Sequence, residues 1–171
     1  ALGAQLGDRA GEPRALIAVR VVVPEDAVRV EHHEADLADA NRDSITFIAG
    51  LRSEFSDNAA PIVLNGIIGP RGDAYAPDVA IAAAEAEEYH AKQIGWLADT
   101  DVDMVTAMTF TQSDEAIGVV RAADAAGLPI VVSFTVETDG SLPTGESLRH
   151  AIGAVDAATN GSAAYFMVNC A

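Results

Sequence analysis

The residue type best suited to chemistry in this chain is its single cysteine, Cys170, which follows the apolar stretch AAYFMV at residues 163–168. The stretch predicts a short buried strand, so Asn169 and Cys170 should lie at its carboxyl end. Residues at the carboxyl ends of strands carry the chemistry in α/β barrels. A thiol placed there can bind a metal or a substrate, or it can pack as a small apolar side chain.

A second candidate for metal binding is the sequence EHHE at residues 31–34. Its two histidines, His32 and His33, are adjacent, whereas histidines that share a metal on a helix are three or four residues apart. We therefore interpret this cluster as a solvated polar patch. His90 lies in a predicted helix beside Tyr89 and Ile94, and we expect it to pack against the core.

Composition excludes several classes of function. The chain has 171 residues and a net charge of −16, with 26 acidic and 10 basic residues. Such a balance argues against binding to nucleic acid or to an anionic membrane surface. No apolar run reaches the roughly 18 residues of a membrane span. One cysteine allows no internal disulfide and is typical of a reducing compartment, so we expect a cytoplasmic protein.

Apolar stretches and helical patterns alternate along the chain, with strands roughly 25 to 40 residues apart, as in βαβ units. Strands are predicted at 16–23, 61–68, 102–108, 130–135 and 163–168. Helices are predicted at 34–55, at 79–98 with Asp78 as its cap, after Ser113 as a cap and up to Gly127, and at 146–159. The last four strands predict an α/β fold, a partial (β/α)8 TIM barrel with about four of its eight units. A flavodoxin-like sheet also fits this length, but no glycine-rich phosphate loop follows a strand.

Several of these strand ends resemble one known family. The segments IGPRGDAY (68–75), DMVTAMT (103–109), LPIVVSFTVETDG (128–140), LPTG (142–145) and MVNCA (167–171) look like motifs of the homocysteine S-methyltransferases. The resemblance runs from about Asn41 to the end of the chain. It implies that residues 41–171 form the central part of a homocysteine-binding barrel domain. Residues 1–40 match poorly, and a non-native origin is one interpretation of this segment.

The resemblance implies a zinc-dependent enzyme. Its relatives transfer a methyl group from a sulfonium donor, S-methylmethionine or S-adenosylmethionine, to the zinc-bound thiolate of homocysteine, which gives methionine. Three cysteines hold the zinc, and Cys170 matches the first of them. The other two form an adjacent pair that has no counterpart here, and an early Asp-Gly-Gly segment is also missing. We therefore expect a truncated chain that lacks the remaining zinc ligands.

The resemblance also implies substrate-binding residues at the strand ends, and it assigns no catalytic side chain. The candidates are Asn169, Glu137, Thr109 and Asp73. Asn169 can orient the cysteine loop, touch the substrate or be a simple turn residue, and Asp73 can equally form a loop salt bridge. Met108 stands where many relatives carry a glutamate for the amino group of the substrate. Glu137 at the next strand end is our candidate replacement, although a solvated turn carboxylate is the alternative.

Two other functions remain open. The chain can be a non-catalytic half barrel that at most associates with itself, because a half barrel exposes two sheet edges. It can also be a barrel enzyme that acts on another small molecule. The sequence does not indicate the oligomeric state.

Overall fold

The structure of the protein, a computed structural model, describes residues 15–20, 34–55, 61–72 and 80–170. Within these ranges, five strands alternate with four helices. The strands are β1 (Ala15–Arg20), β2 (Ile62–Ile68), β3 (Met104–Phe110), β4 (Ile130–Thr135) and β5 (Ala163–Asn169). The helices are α1 (Glu34–Glu54), α2 (Ala83–Ala98), α3 (Ser113–Ala125) and α4 (Leu148–Thr159). The predicted patch around His32 and His33 lies outside the described residues.

The strands form one parallel sheet in the order β1-β2-β3-β4-β5, the same as their order in the chain. A flavodoxin-like sheet would reverse this order at a switch point, and no reversal occurs among the described strands. Sequential parallel strands joined by right-handed helical crossovers place the helices on one face and curve the sheet towards a barrel. The prediction of an α/β fold with part of a TIM barrel is confirmed, with β1 as a fifth strand.

Side chains of each strand alternate between the helix layer and the inner face of the curved sheet. In β4, Ile130, Val132 and Phe134 belong to the apolar core that the helices cover. The three residues between and after them, Val131, Ser133 and Thr135, face inward and are buried as well. Burial on both faces explains why the strand reads as a nearly continuous apolar run.

The inner face of the sheet also carries polar pairs. Asn65 on β2 and Thr106 on β3 are 3% and 2% exposed, and each donates a hydrogen bond to the other at 2.8 and 3.1 Å. The two residues lie on neighbouring strands whose register places Asn65 opposite Met104 and Ile67 opposite Thr106. Because a buried amide or hydroxyl is costly without a partner, the pair fixes the relative position of β2 and β3.

Three helix starts differ from the sequence prediction. Helix α2 begins at Ala83 after an Ala82 N-cap that makes no side-chain hydrogen bond, and the predicted cap, Asp78, lies outside the described residues. Helix α4 begins at Leu148, because the Ser147 hydroxyl accepts the His150 N–H and caps the helix there. Ser113 is the first residue of α3 and does not cap it. Across the described ranges, no helix has the length and apolarity that a membrane crossing requires.

Strand β5 is the least covered strand of the sheet whose side chains are described. Tyr165, Met167 and Val168 are 47%, 38% and 44% exposed, in contrast to the fully buried side chains of β4. Among the described strands, β5 pairs with β4 alone. An apolar strand with a vacant pairing edge is a site for a further strand or another chain.

The tightest contact between helices joins α2 and α3 at Gly118. A Cβ atom at this position would lie 2.5 Å from the Ala86 Cβ and 2.6 Å from the Ala83 carbonyl oxygen. The missing side chain lets α3 approach the backbone of α2. The residues of α3 from 115 to 120 are all buried.

We expect Gly118→Ala to destabilise the protein by about 1–3 kcal/mol, because the added methyl must push two packed helices apart. Gly153→Ala is the matched control, since a Cβ at Gly153 on α4 meets nothing within 4 Å. Its helix propensity alone should stabilise the protein by about 0.5–1 kcal/mol. Urea unfolding of both variants tests this contrast, and equal shifts in the same direction would contradict the close approach of α2 and α3.

Candidate active site

The carboxyl ends of β3, β4 and β5 bring four of the sequence candidates to one end of the sheet. Thr109 lies near the end of β3, Asn169 is the last residue of β5, and Cys170 follows it. Glu137 is exposed two residues beyond β4. The fifth candidate, Asp73, lies outside the described residues. We call the ends of these three strands the strand-end site.

The amide of Asn169 makes four hydrogen bonds and connects all three strands of the strand-end site. Its Oδ1 accepts from the Ser133 hydroxyl at 2.7 Å and from the Thr109 N–H at 3.2 Å. Its Nδ2 donates to Thr109 Oγ1 at 3.0 Å and to Cys170 Sγ at 3.2 Å. An amide has two donor and two acceptor positions, so all four are filled by the protein itself.

Thr109 adopts a backbone conformation that threonine disfavours. Its φ is +68°, in the left-handed region, which is unfavourable for a β-branched residue. The register between β3 and β4 shifts here, from Ala107 opposite Val132 to Phe110 opposite Phe134, so β3 contains one extra residue. This β-bulge turns the Thr109 N–H towards the Asn169 side chain, which lies beyond β4. The two hydrogen bonds between Thr109 and Asn169 offset the strain at Thr109.

The Cys170 thiol is exposed at the end of β5, with a backbone φ of +52°. The Asn169 amide donates to its sulfur, which is a favourable contact for a thiolate. A thiolate is a good zinc ligand, but a structural or catalytic zinc site needs at least three protein ligands. The described residues contain no cluster of three or more His, Cys, Asp or Glu side chains that could hold a metal. The thiol fits such a site as one ligand, and the described residues do not complete it.

Thr135, the last residue of β4, has an unusual side chain. Its hydroxyl is buried and makes no hydrogen bond, and no other buried side-chain nitrogen or oxygen of the described residues lacks a partner. Ser133, two residues earlier on the same inner face, donates to Asn169. Both residues lie in the motif LPIVVSFTVETDG (128–140), but neither of them was assigned a role from the sequence. The sequence does contain a signal for them, because two hydroxyl side chains two residues apart share one face of a strand that is otherwise apolar.

A buried pair secures the loop that follows β2. Glu115 Oε1, on the first turn of α3, accepts the Arg71 N–H at 2.6 Å and lies 3.0 Å from His90 Nε2. Both side chains of the pair are 1% exposed, and the His90 ring also contacts Phe110. The packing role expected for His90 is confirmed. The Arg71 side chain pairs with Glu85 and lies over the Tyr89 ring, so it binds to α2.

The loop between β4 and α4 is ordered by local hydrogen bonds. The Glu137 N–H donates to the Ser141 carbonyl at 2.7 Å, and the buried Leu142 anchors the loop. Asp139 Oδ1 accepts from both the hydroxyl and the N–H of Ser141, and these bonds hold the pKa of Asp139 below its usual range. The loop presents the exposed Glu137 beside the strand-end site.

Met108, the residue before Thr109, is half-buried at the strand end. Its thioether accepts hydrogen bonds only weakly and carries no charge. A separate cleft of about 450 Å³ lies at the opposite end of the strands and is lined by residues such as Arg42, Asp99 and Asp101. None of the site candidates contributes to that cleft.

We expect Asn169→Ala to destabilise the protein by roughly 1–3 kcal/mol, because Ser133 and Thr109 lose their acceptor. Asn169→Asp should lose less, since its carboxylate still accepts both bonds. Asn160→Gly is the control, because Asn160 is an exposed C-cap with φ +54° that glycine adopts freely. Thermal and urea unfolding measure all three variants. Equal stability of Asn169→Ala and Asn160→Gly would contradict the role of Asn169.

Comparisons with known proteins agree with this geometry. The homocysteine S-methyltransferase family profile matches residues 22–171. The match therefore begins before Asn41, where the resemblance of the sequence motifs began. No curated protein matches the chain in sequence.

Solved structures of homocysteine methyltransferase MmuM from Escherichia coli share the fold. The apo form superimposes with a TM-score of 0.74 at 16% identity, over 91% of this chain and 56% of that one. The metallated form has a TM-score of 0.74 at 18% identity, over 90% of this chain and 57% of that one. The oxidized form has a TM-score of 0.71 at 20% identity, over 85% of this chain and 52% of that one. The chain thus spans a little over half the length of these proteins. Because the family profile covers most of the chain, the protein belongs to the homocysteine S-methyltransferase family.

Proposed function

We propose that the protein transfers a methyl group from a sulfonium donor to the thiol of homocysteine and so forms methionine. The observation that carries this proposal is the exposed Cys170 thiol at the carboxyl end of β5, held there by the Asn169 amide. This is the end of the sheet at which barrels of this type act. Membership of the family supports the choice of homocysteine as acceptor.

The reaction forms one carbon–sulfur bond and breaks another. The substrate thiol loses its proton to solvent, and its sulfur attacks the methyl carbon of S-methylmethionine or S-adenosylmethionine in line with the departing sulfur. The donor leaves as a neutral thioether, so no oxidant or reductant takes part. A free thiol is mostly protonated near neutral pH, which makes deprotonation and alignment the tasks of the protein.

We further propose that Cys170 is one of the ligands of a zinc ion whose other ligands are not among the described residues. Such a zinc ion would supply the positive charge that stabilises a coordinated substrate thiol as its thiolate near neutral pH. In this proposal Asn169 orients the Cys170 sulfur through its amide N–H. It does not bind the substrate itself, because all four of its hydrogen-bonding positions are filled within the protein. Outer partners of this kind orient metal ligands and affect metal affinity.

The polar groups around the strand-end site are candidates for holding the amino-acid part of the substrate. The Thr109 hydroxyl accepts from Asn169 and keeps its own proton to donate. The exposed carboxylate of Glu137 can accept from the substrate ammonium, which the neighbouring Met108 cannot do. Asp73 remains a candidate on the resemblance of its loop. In this proposal, residues 41–171 form the central part of the barrel domain of a cytoplasmic enzyme.

A half barrel without catalytic activity is the second candidate function. It is favoured by the exposed apolar side chains of β5. Such a chain would pair through the open edge of β5 and associate with copies of itself.

We expect the protein encoded by the complete gene to bind one zinc ion per chain and to form methionine from homocysteine and S-methylmethionine. Cys170→Ser should lose most of both, because a hydroxyl is a poor replacement for a thiolate ligand. His150→Gln is the matched control, since the exposed His150 ring lies 3.7 Å from a Glu146 carboxylate oxygen and its replacement should leave the zinc content unchanged.

Metal analysis and product formation distinguish the two candidate functions. An oligomer that binds no zinc and methylates no thiol would contradict the enzyme and support the half barrel. Repeating the assay with S-adenosylmethionine identifies the donor.

A further inference from the structure

Building on the proposed function, we infer that Thr135 binds the carboxylate of the amino-acid substrate by donating its hydroxyl proton. The hydroxyl lacks a hydrogen-bond partner although Thr135 is 3% exposed. A buried hydroxyl without a partner is costly, and such groups are rare in folded proteins. A polar ligand group that supplies the partner would recover that cost.

The position of Thr135 connects it to the strand-end site. Thr135 is paired in register with Asn169 on β5, and both residues lie on the inner face of the sheet with Ser133. Along β4 the chain passes from the buried Thr135 through the half-buried Val136 to the exposed Glu137 within two residues. The hydroxyl therefore lies at the boundary between the packed interior and the open end of the sheet, next to the residue that precedes Cys170.

The hydrogen-bonding state of the neighbours explains why Thr135 is the available donor. Both N–H groups of the Asn169 amide are used, by Thr109 and Cys170. The Ser133 hydroxyl and the Thr109 N–H both donate to Asn169. Among the described side-chain hydroxyls at these strand ends, those of Thr109 and Thr135 keep a proton that no protein acceptor takes, and only the Thr135 hydroxyl makes no hydrogen bond at all.

The chemistry of the site favours a carboxylate as the ligand group. A carboxylate only accepts hydrogen bonds, and a neutral hydroxyl gives it a charge-assisted bond. An ammonium group needs an acceptor, which the exposed carboxylate of Glu137 already offers two residues further on. One strand end would thus hold both charged groups of an α-amino acid and leave its thiol to reach towards Cys170.

The test compares Thr135→Val, which removes only the hydroxyl, with Thr135→Ser, which keeps it. Calorimetry on the zinc-loaded full-length protein measures binding of homocysteine and of 3-aminopropane-1-thiol, which is homocysteine without its carboxylate. We expect Thr135→Val to weaken homocysteine binding by about 10- to 100-fold, the usual range for a hydrogen bond to a charged group. Its affinity for the aminothiol should match that of the wild type, and Thr135→Ser should restore homocysteine binding.

Stability separates a ligand contact from a structural role. Thr135→Val should unfold at the same temperature as the wild type or higher, because it removes an unpaired buried hydroxyl. Thr159→Val is the control, since its buried hydroxyl donates to the Val155 carbonyl at 2.7 Å. It should lower the unfolding temperature without changing homocysteine binding.

Two results would overturn the assignment of Thr135. The first applies if the wild type binds homocysteine: Thr135→Val then binds homocysteine equally well, or its affinities for homocysteine and for the aminothiol fall by the same factor. The other is a large loss of stability in Thr135→Val, which would mean that the hydroxyl has a partner in the folded protein. A wild type that binds neither thiol would contradict the proposed function itself, and the assignment with it.

Discussion

The arrangement of the strand-end site depends on the amide of Asn169. This one side chain, at the end of β5, reaches across β4 to β3 and fills its bonding capacity with Thr109, Ser133 and Cys170. Two of its partners lie in strained or exposed positions, because Thr109 has a positive φ and Cys170 is exposed after the last residue of the sheet. The amide thus converts the ends of three separate strands into one surface of fixed geometry. Any chemistry at Cys170 relies on that surface.

Polar groups in and around the sheet divide into those that the fold uses and those that it leaves available. Asn65 and Thr106 satisfy each other, and the Asn169 amide is fully occupied. Glu115 and His90 form a buried pair that holds the loop after β2. The Thr135 hydroxyl is the exception, and Glu137 is exposed beside it. A site that binds a zwitterion needs such unused groups, because groups already paired within the protein gain little from a ligand.

The fold was largely predictable from the sequence, whereas the internal geometry of the site was not. Apolar stretches at the spacing of βαβ units correctly predicted the parallel sheet, and the strand-end rule brought Thr109, Asn169 and Cys170 together. The bulge at Thr109 was not predictable, because a threonine disfavours positive φ and only the bonds from Asn169 offset that cost. Helix α4 begins later than the predicted start at residue 146, because the Ser147 side chain caps it. Helix propensity alone does not show which of these neighbouring residues is the cap. Thr135 was assigned no role from the sequence, because the importance of its hydroxyl lies in a hydrogen bond that it does not make within the protein.

The most direct test of the role of Asn169 is hydrogen exchange at the Thr109 amide, which has a side-chain oxygen as its acceptor. NMR would compare the wild type with Asn169→Leu, which keeps a similar volume without the amide, and with Asn169→Asp, which keeps an acceptor. The Thr109 amide should be protected in the wild type and in Asn169→Asp and should exchange much faster in Asn169→Leu, while the Val132 amide within β4 keeps its protection. Equal protection of Thr109 in all three proteins would contradict the dependence of the strand-end site on Asn169.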